Sequence, residues 1–156
     1  MGVLLRVGVL AALLVPLTDH AQSMEKGQAI CFQIERFINT LVDYTHTSCV
    51  PMFGTEKRAF SFALISTKPV LSVEAAKKGW IISAVGSAGE ILNRNPSLKV
   101  DQLFLSDVER MKSRVAYMVS ANVVKSLQRR IKADQIGIEA MYSEVSKNMT
   151  RQVAPK

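Results

Sequence analysis

Apolar residues recur along most of the chain at the spacing of amphipathic helices. Over residues 25–43 they return every three or four positions, which predicts a first helix with one apolar face. The same spacing predicts a second helix over 73–92, a long third helix over 107–132 and a last helix over 138–149. Helices therefore dominate the predicted secondary structure.

Two shorter segments, 58–67 and 99–105, alternate in the way that β-strands do. In the first of them both sets of alternating positions are apolar or small, so we expect this strand to be covered on both faces. The helix between the two strands predicts a parallel pair. Because two strands alone make a poor sheet, we expect a third strand over 45–53 or one supplied by a partner chain.

The predicted order is helix, strand, helix, strand, helix, helix, which indicates a helix-rich α/β fold with a small sheet. The length of the chain fits one globular domain over 24–150, and we expect the polar tail over 151–156 to be disordered. The stretch 79–89 has no charge and is rich in glycine and serine, which predicts close packing against another segment of the same domain.

Residues 1–23 have the pattern of a secretory signal peptide. Arg6 precedes an apolar run over 7–17, and Ala21 and Ser23 are the small residues that a signal peptidase accepts before its cut. An uncleaved membrane anchor is the alternative, although it would need about 20 apolar residues. We therefore expect cleavage after Ser23 and a periplasmic or secreted protein.

Cys31 and Cys49 are the only cysteines, and in an exported protein such a pair predicts a disulfide. One straight helix through both would hold them roughly 27 Å apart. A disulfide requires Cα atoms about 5.5 Å apart. We therefore expect either an early end to the first helix or a bridge between two chains.

Two serines stand where a predicted strand passes into a predicted helix. Ser72 precedes the second helix, and Ser106 precedes the third and has the capping-box spacing to Glu109. Capping explains both residues. Alternatively, the two helix N-termini could bind an anion beyond the carboxyl ends of the strands, with help from Lys68 or Arg110.

The chain has a formal net charge of +7, and most of the excess lies after Ser106. Such a surface favours anionic partners, such as acidic lipid headgroups or acidic polymers, although a solvated helix face is the simpler interpretation. No nucleic-acid partner is expected, since the aromatic residues that such a surface interleaves with basic ones are missing. The basic residues crowd the end of the third helix as Lys125, Arg129, Arg130 and Lys132.

His46 is the only histidine outside the predicted signal peptide, and with Cys49 it forms a His-x-x-Cys pair. This pair could hold zinc together with Cys31, or His46 could activate Cys49 as a nucleophile. A zinc site would lack a fourth ligand, and a disulfide explains the cysteines better. No Gly-rich phosphate loop and no Gly-x-Ser-x-Gly turn is present, so the sequence predicts neither a metal nor a cofactor.

These observations favour an exported, non-enzymatic accessory or interaction protein of the cell envelope or secreted space. Its expected partner is another envelope or secreted protein, and a homodimer is a further option. One alternative is a binding module for an anionic ligand or membrane surface through the basic C-terminal helices. The other is a small enzyme that depends on His46 and Cys49.

Overall fold

The computed structural model describes residues 24–41, 46–53 and 59–153, so the predicted signal peptide lies outside the described residues. The helices are α1 (24–41), α2 (Glu74–Arg94), α3 (Val108–Lys112), α4 (Ala121–Lys132) and α5 (Ile138–Asn148), with a 3-10 turn at Val70–Ser72 before α2. The strands are β1 (Thr47–Phe53), β2 (Phe60–Ser66), β3 (Val100–Asp107), β4 (Val115–Ser120) and β5 (Thr150–Val153). In these ranges no helix has the length and apolarity needed to span a bilayer.

The five strands form one sheet in the order β1-β2-β3-β4-β5. β2 and β3 are parallel, as the helix between them predicts, and the other neighbouring pairs are antiparallel. The strand expected over 45–53 is present as β1. The helix-rich, single-domain α/β class is therefore confirmed, with a larger sheet than the sequence alone predicted.

The helices supply the hydrophobic core from one side of the sheet. Phe62 and Leu64 on β2 and Leu103 and Leu105 on β3 are fully buried, and they belong to the same core as Trp80 of α2. The remaining core residues on helices come from α1, α2, α4 and α5 and are Ile30, Cys31, Ile34, Ile38, Ile81, Ala84, Val85, Ala88, Ile91, Leu92, Ala121, Val124, Leu127, Met141 and Val145. The described fold is thus a layer of helices on a single sheet.

α1 covers the outer edge of β1 with three residues spaced four apart. Cys31 and Cys49 form a disulfide with Cα atoms 5.2 Å apart. The Glu35 carboxylate accepts the Cys49 N–H at 3.0 Å. The Asn39 side chain accepts the Thr47 N–H at 2.7 Å and donates to the Thr47 carbonyl oxygen at 3.0 Å. The bridge lies within one chain, and α1 binds three backbone groups on the outer edge of β1 that could otherwise pair with another strand, namely the Thr47 N–H and C=O and the Cys49 N–H.

α2 and α4 cross closely at Gly89, which explains part of the small-residue stretch. A Cβ on Gly89 would lie 2.7 Å from the Gln128 Cβ and 3.0 Å from the Val124 carbonyl oxygen. One turn away, a Cβ on Gly86 would meet nothing closer than 3.8 Å. The prediction of close packing within the domain is therefore confirmed at Gly89.

The single long helix predicted over 107–132 is wrong. The chain forms α3, then a turn in which Arg114 has a φ of 56°, and then β4 before α4 begins. Val115, Val119 and their neighbours are apolar on both faces, so their pattern fits a helix as well as a strand. Strand pairing with β3 decides in favour of β4.

The predicted cap at Ser106 is displaced by one residue. Asp107 caps α3, because its carboxylate accepts the Arg110 N–H at 2.9 Å. Ser106 belongs to β3, and its hydroxyl donates to the Val115 carbonyl oxygen at 2.8 Å. Both residues can cap a helix, and the extra residue of β3 determines which one does.

The C-terminal segment expected to be disordered over 151–156 contributes a strand instead. β5 pairs with β4 in an antiparallel register from Val115 with Val153 to Met118 with Thr150. All four residues of β5 are exposed, so backbone pairing and not burial holds this strand. The prediction of disorder, which was based on polar composition, is therefore wrong for 151–153. Residues 154–156 lie outside the described residues.

Candidate interaction surface

The side of the sheet opposite the helices carries an apolar row that crosses β1 to β4 and ends at Thr150 on β5. Val50, Ala63, Phe104, Met118 and Thr150 are successive register partners from β1 to β5. Alternate strand residues point to the same face, so these five side chains lie side by side. We call the uncovered face the set Ser48, Val50, Met52, Ser61, Ala63, Ile65, Gln102, Phe104, Ser106, Ala116, Met118, Ser120, Thr150 and Gln152.

No helix in the described part of the chain packs on this face. Ile65, Phe104 and Met118 are only half-buried, and Val50 is 45% exposed. None of these residues belongs to the hydrophobic core or packs against it. On this face of β2, Ser61 is buried whereas Ala63 and Ile65 are only half-buried, so the expectation that β2 is covered on both faces is met only in part by the described chain.

None of the residues that the strand register assigns to the uncovered face is charged, and Asp101, which lies at the irregularity between Val100 and Gln102 in β3, is assigned to neither face. Its polar members are serine, threonine and glutamine, and they surround the apolar row. Protein interfaces have this composition, with aromatic residues and methionine at the centre and few charges. On a chain with a net charge of +7, a neutral patch of this extent is a feature that requires an explanation.

The serines predicted to bind an anion lie near the carboxyl end of β3, where Asp107 occupies the space between them. Asp107 is fully buried and accepts the Leu71 N–H at 2.8 Å in addition to that of Arg110. Arg110 also donates to the Leu71 carbonyl oxygen at 3.1 Å. Ser72 is exposed and does not cap α2, whose N-cap is Val73, and Ser106 is buried. Two nearby N–H groups, those of Leu71 and Arg110, are already bonded to Asp107.

The four predicted basic residues do not act as one patch. Arg130 pairs with Glu144 at 2.7 Å, and Lys132 pairs with the buried Glu90 at 2.6 Å. No ion pair joins Lys125 or Arg129 to any residue that the structure describes. These two residues lie one turn apart on α4. Because only two of the four basic residues lack an ion-pair partner, the surface charge available to an anion is smaller than the sequence predicted.

The His46 and Cys49 pair has no free thiol in this structure, because both cysteine sulfurs are in the disulfide. The His46 Nε2 lies 3.8 Å from a Glu35 oxygen, and its side chain is 61% exposed. The described ranges contain no group of three metal-ligating side chains. The bridged sulfur can serve neither as a zinc ligand nor as a nucleophile.

A shallow depression of about 680 Å³ lies between α2 and α5. The Tyr142 hydroxyl donates to Glu74 at 2.7 Å, which lowers the pKa of the Glu74 carboxyl, and the Lys77 ammonium lowers it further. Burial and the bond to Glu74 raise the pKa of Tyr142. Lys77 pairs with Glu74 and Lys78 pairs with Glu139, so these four charged side chains of the depression neutralise one another.

The sequence contained a signal for the uncovered face, namely the apolar and small residues at both sets of positions in β2. That signal predicted cover on both sides but could not indicate whether this chain or another supplies it. No protein-family model, curated protein or solved structure matches this chain.

Proposed function

We propose that this chain is an exported accessory or interaction protein that acts by binding another protein through the uncovered face. The observation that carries the proposal is the neutral apolar row centred on Phe104 and Met118. Burying half-exposed apolar side chains gains about 25 cal/mol for each Å² removed from water. A face without charges loses nothing to the desolvation of ions.

Two features support export. The pattern of residues 1–23 is that of a signal peptide, and disulfides such as Cys31–Cys49 form and persist in oxidising compartments. Both fit the periplasm or the secreted space. In that setting the bridge also argues against the enzyme alternative, since a Cys-dependent reaction needs the Cys49 thiol.

Site-specific photocrosslinking in the native compartment tests the proposed function. A photoreactive phenylalanine analogue replaces Phe104 in one variant and Ile138, which is exposed on α5, in the matched control. We expect a crosslinked protein product from position 104 and none from position 138. Equal products at both positions, or none at position 104, would show that the uncovered face is not a contact surface.

The export part of the proposal has its own measurement. Intact mass of the protein taken from its native compartment, alkylated before any reduction, reports both the N-terminus and the thiols. We expect a chain that begins at Met24 and takes up no alkylating reagent. A mass that includes residues 1–23 would identify an anchored or unprocessed protein, and alkylated cysteines would reopen the enzyme alternative.

A second candidate function is binding to an acidic surface, and Lys125 and Arg129 are the residues that support it. Their lack of ion-pair partners in the described part leaves two cations on one face of α4. We expect weak, salt-sensitive binding to vesicles that contain acidic lipid, reduced by the Lys125→Glu/Arg129→Glu double variant and not by Lys99→Glu. Binding that ignores salt would exclude this candidate.

A further inference from the structure

We propose that the occupant of the uncovered face is the same face of a second copy of this chain, which gives a sheet-on-sheet homodimer. This inference rests on the proposed function, because it names the partner of the same surface. Strands that are apolar on both faces are typical of sheets covered on both sides. The described chain covers one side, and a second copy supplies cover with the same chemistry.

The absence of charge on the uncovered face favours a second copy over a partner of opposite charge. This chain carries a net charge of +7, so an acidic partner would be recognised best through a surface that includes lysine or arginine. Between two identical faces, every charge near the two-fold axis would meet its own copy. A neutral face on a basic protein therefore favours association with a second copy over binding to an acidic partner.

The order of large and small side chains fits a two-fold axis that runs along β3. Such an axis places β2 of one copy opposite β4 of the other and β3 opposite β3. Along the central row, Ala63 then faces Met118 of the second copy, and Phe104 faces its own counterpart. In this row the small residue next to the axis meets a large one, which is how packed layers interdigitate.

The neighbouring row repeats this arrangement. Ile65 is the register partner of Ser106, and the antiparallel register of β3 and β4, continued by one residue, places Ser106 beside Ala116. The same axis sets Ile65 opposite Ala116 of the second copy, again a large side chain against a small one. Two of the three rows that cross β2, β3 and β4 therefore show the same self-complementary alternation about β3, whereas in the third row the small residues Ser61 and Ser120 face each other.

The size of the face sets the strength of the expected dimer. Five strands about 4.8 Å apart and about 23 Å long present roughly 500 Å² on each copy. Two such faces bury about 1,000 Å², which lies at the lower limit for a specific interface. We therefore expect a reversible dimer with a dissociation constant in the micromolar range.

Sedimentation velocity on the protein secreted with its own N-terminal segment, with the bridge intact, tests the inference. Over about 1 to 500 µM, which brackets a micromolar dissociation constant, we expect the mass to rise from monomer to dimer. Phe104→Glu should hold the protein as a monomer throughout, whereas Ile138→Glu on α5 should dimerise like the wild type. Circular dichroism checks that each variant is folded.

A mixing experiment tests the geometry. Ala63→Glu and Met118→Lys should each weaken dimerisation, and an equimolar mixture of the two variants should recover part of it because these positions face each other. Recovery in the mixture supports the two-fold along β3, and its absence overturns that arrangement.

The outcomes separate this inference from the proposed function. A wild-type protein that stays monomeric to 500 µM, or a dimer that survives Phe104→Glu, would overturn the homodimer on the uncovered face. If the photocrosslink from position 104 is still formed in either case, and joins a different protein, the proposed function stands with another partner. If that crosslink is also missing, both fail.

Discussion

The two faces of the sheet use the same strands but have different surroundings. On the covered face Phe62 and Leu105 are fully buried beneath helices, whereas on the uncovered face Ile65 and Phe104, on those same strands, remain half-buried. Their hydrophobicity is similar, so residue type alone does not determine which face the chain covers. What differs is the presence of four helices with apolar stripes on one side.

The treatment of polar groups separates the faces as well. On the helix side, two buried polar groups have partners within the chain: the Trp80 indole N–H donates to the Thr47 hydroxyl at 2.9 Å, and the buried Glu90 binds Lys132. The buried hydroxyl of Ser87 on α2 has no hydrogen-bond partner among the described residues. The uncovered face avoids charges altogether. A covered face can include a charged side chain because the same chain supplies the opposite charge. On a face that is buried only when a second molecule binds, a charged side chain without such a partner would weaken binding.

The largest expected difference between the faces is in their contribution to monomer stability. Phe62→Ala should lower the free energy of unfolding by about 3–5 kcal/mol, because it opens a cavity beneath the helices. Phe104→Ala should cost only about 1–2 kcal/mol, because the side chain is already partly in water. Urea unfolding at low protein concentration measures both. Equal losses would mean that the uncovered face is covered after all.

The disulfide that attaches α1 to β1 should make the next largest contribution to the free energy of unfolding. The disulfide joins residues with a sequence separation of 18. Removing a disulfide that closes a loop of this length typically lowers the free energy of unfolding by about 3 kcal/mol. We expect the double variant Cys31→Ser/Cys49→Ser to lose about that amount in urea unfolding, and reduced wild-type protein to match it. A loss below about 1 kcal/mol would mean that Glu35 and Asn39 alone hold α1 on the edge of β1.

How far the sequence predicts this fold depends on whether a pattern has one physical meaning. The stripe on α1, the parallel pair of β2 and β3, and the disulfide partners follow from spacing and chemistry that allow few alternatives. β4 could not be predicted, since its doubly apolar pattern fits a helix as well and only pairing with β3 decides. β5 could not be predicted either, because its stability comes from backbone bonds that side chains do not reveal.

The candidate surface shows the same limit. Ala63 and Ile65 revealed that both faces of β2 are apolar, which is a local property of the sequence. Whether the second face is covered depends on where the helices lie, which is a property of the whole chain. The basic residues of α4 are a similar case. The sequence does not reveal that Arg130 pairs with Glu144 and Lys132 with Glu90, because these partners lie far along the chain and are brought close only by the fold.

The close crossing of α2 and α4 offers a smaller but sharper test of the covered side. Gly89→Ala should destabilise the protein by about 1–2 kcal/mol, since the added methyl meets the Val124 carbonyl oxygen and the Gln128 Cβ. Gly86→Ala is the matched control and should stabilise it by up to about 1 kcal/mol through helix propensity. Thermal unfolding of both variants measures the contrast, and a stabilising Gly89→Ala would show that the helices are further apart.

The smallest expected effect concerns Glu90, a buried acid on α2. A hydrogen bond from Lys132 lowers the pKa of this carboxyl, and bonds from Arg94 and Gln128 lower it further against the opposing effect of burial. A carboxyl with a lowered pKa in the folded state stabilises the fold above its unfolded value, near 4.5, and loses that contribution as the pH falls through the folded value.

Glu90→Gln should therefore cost about 1 kcal/mol at neutral pH, because Lys132 and Arg94 are largely exposed and can turn to water. Urea unfolding of the two proteins between pH 7 and pH 3 should give stabilities that converge as the solution becomes acidic. Glu139→Gln, which removes an exposed partner of Lys78, is the control and should change little at any pH. A gap between wild type and Glu90→Gln that stays constant down to pH 3 would mean that Glu90 acts through packing and not through its charge. The ion pair between Glu90 and Lys132 would then contribute nothing to the electrostatic contrast between the two faces.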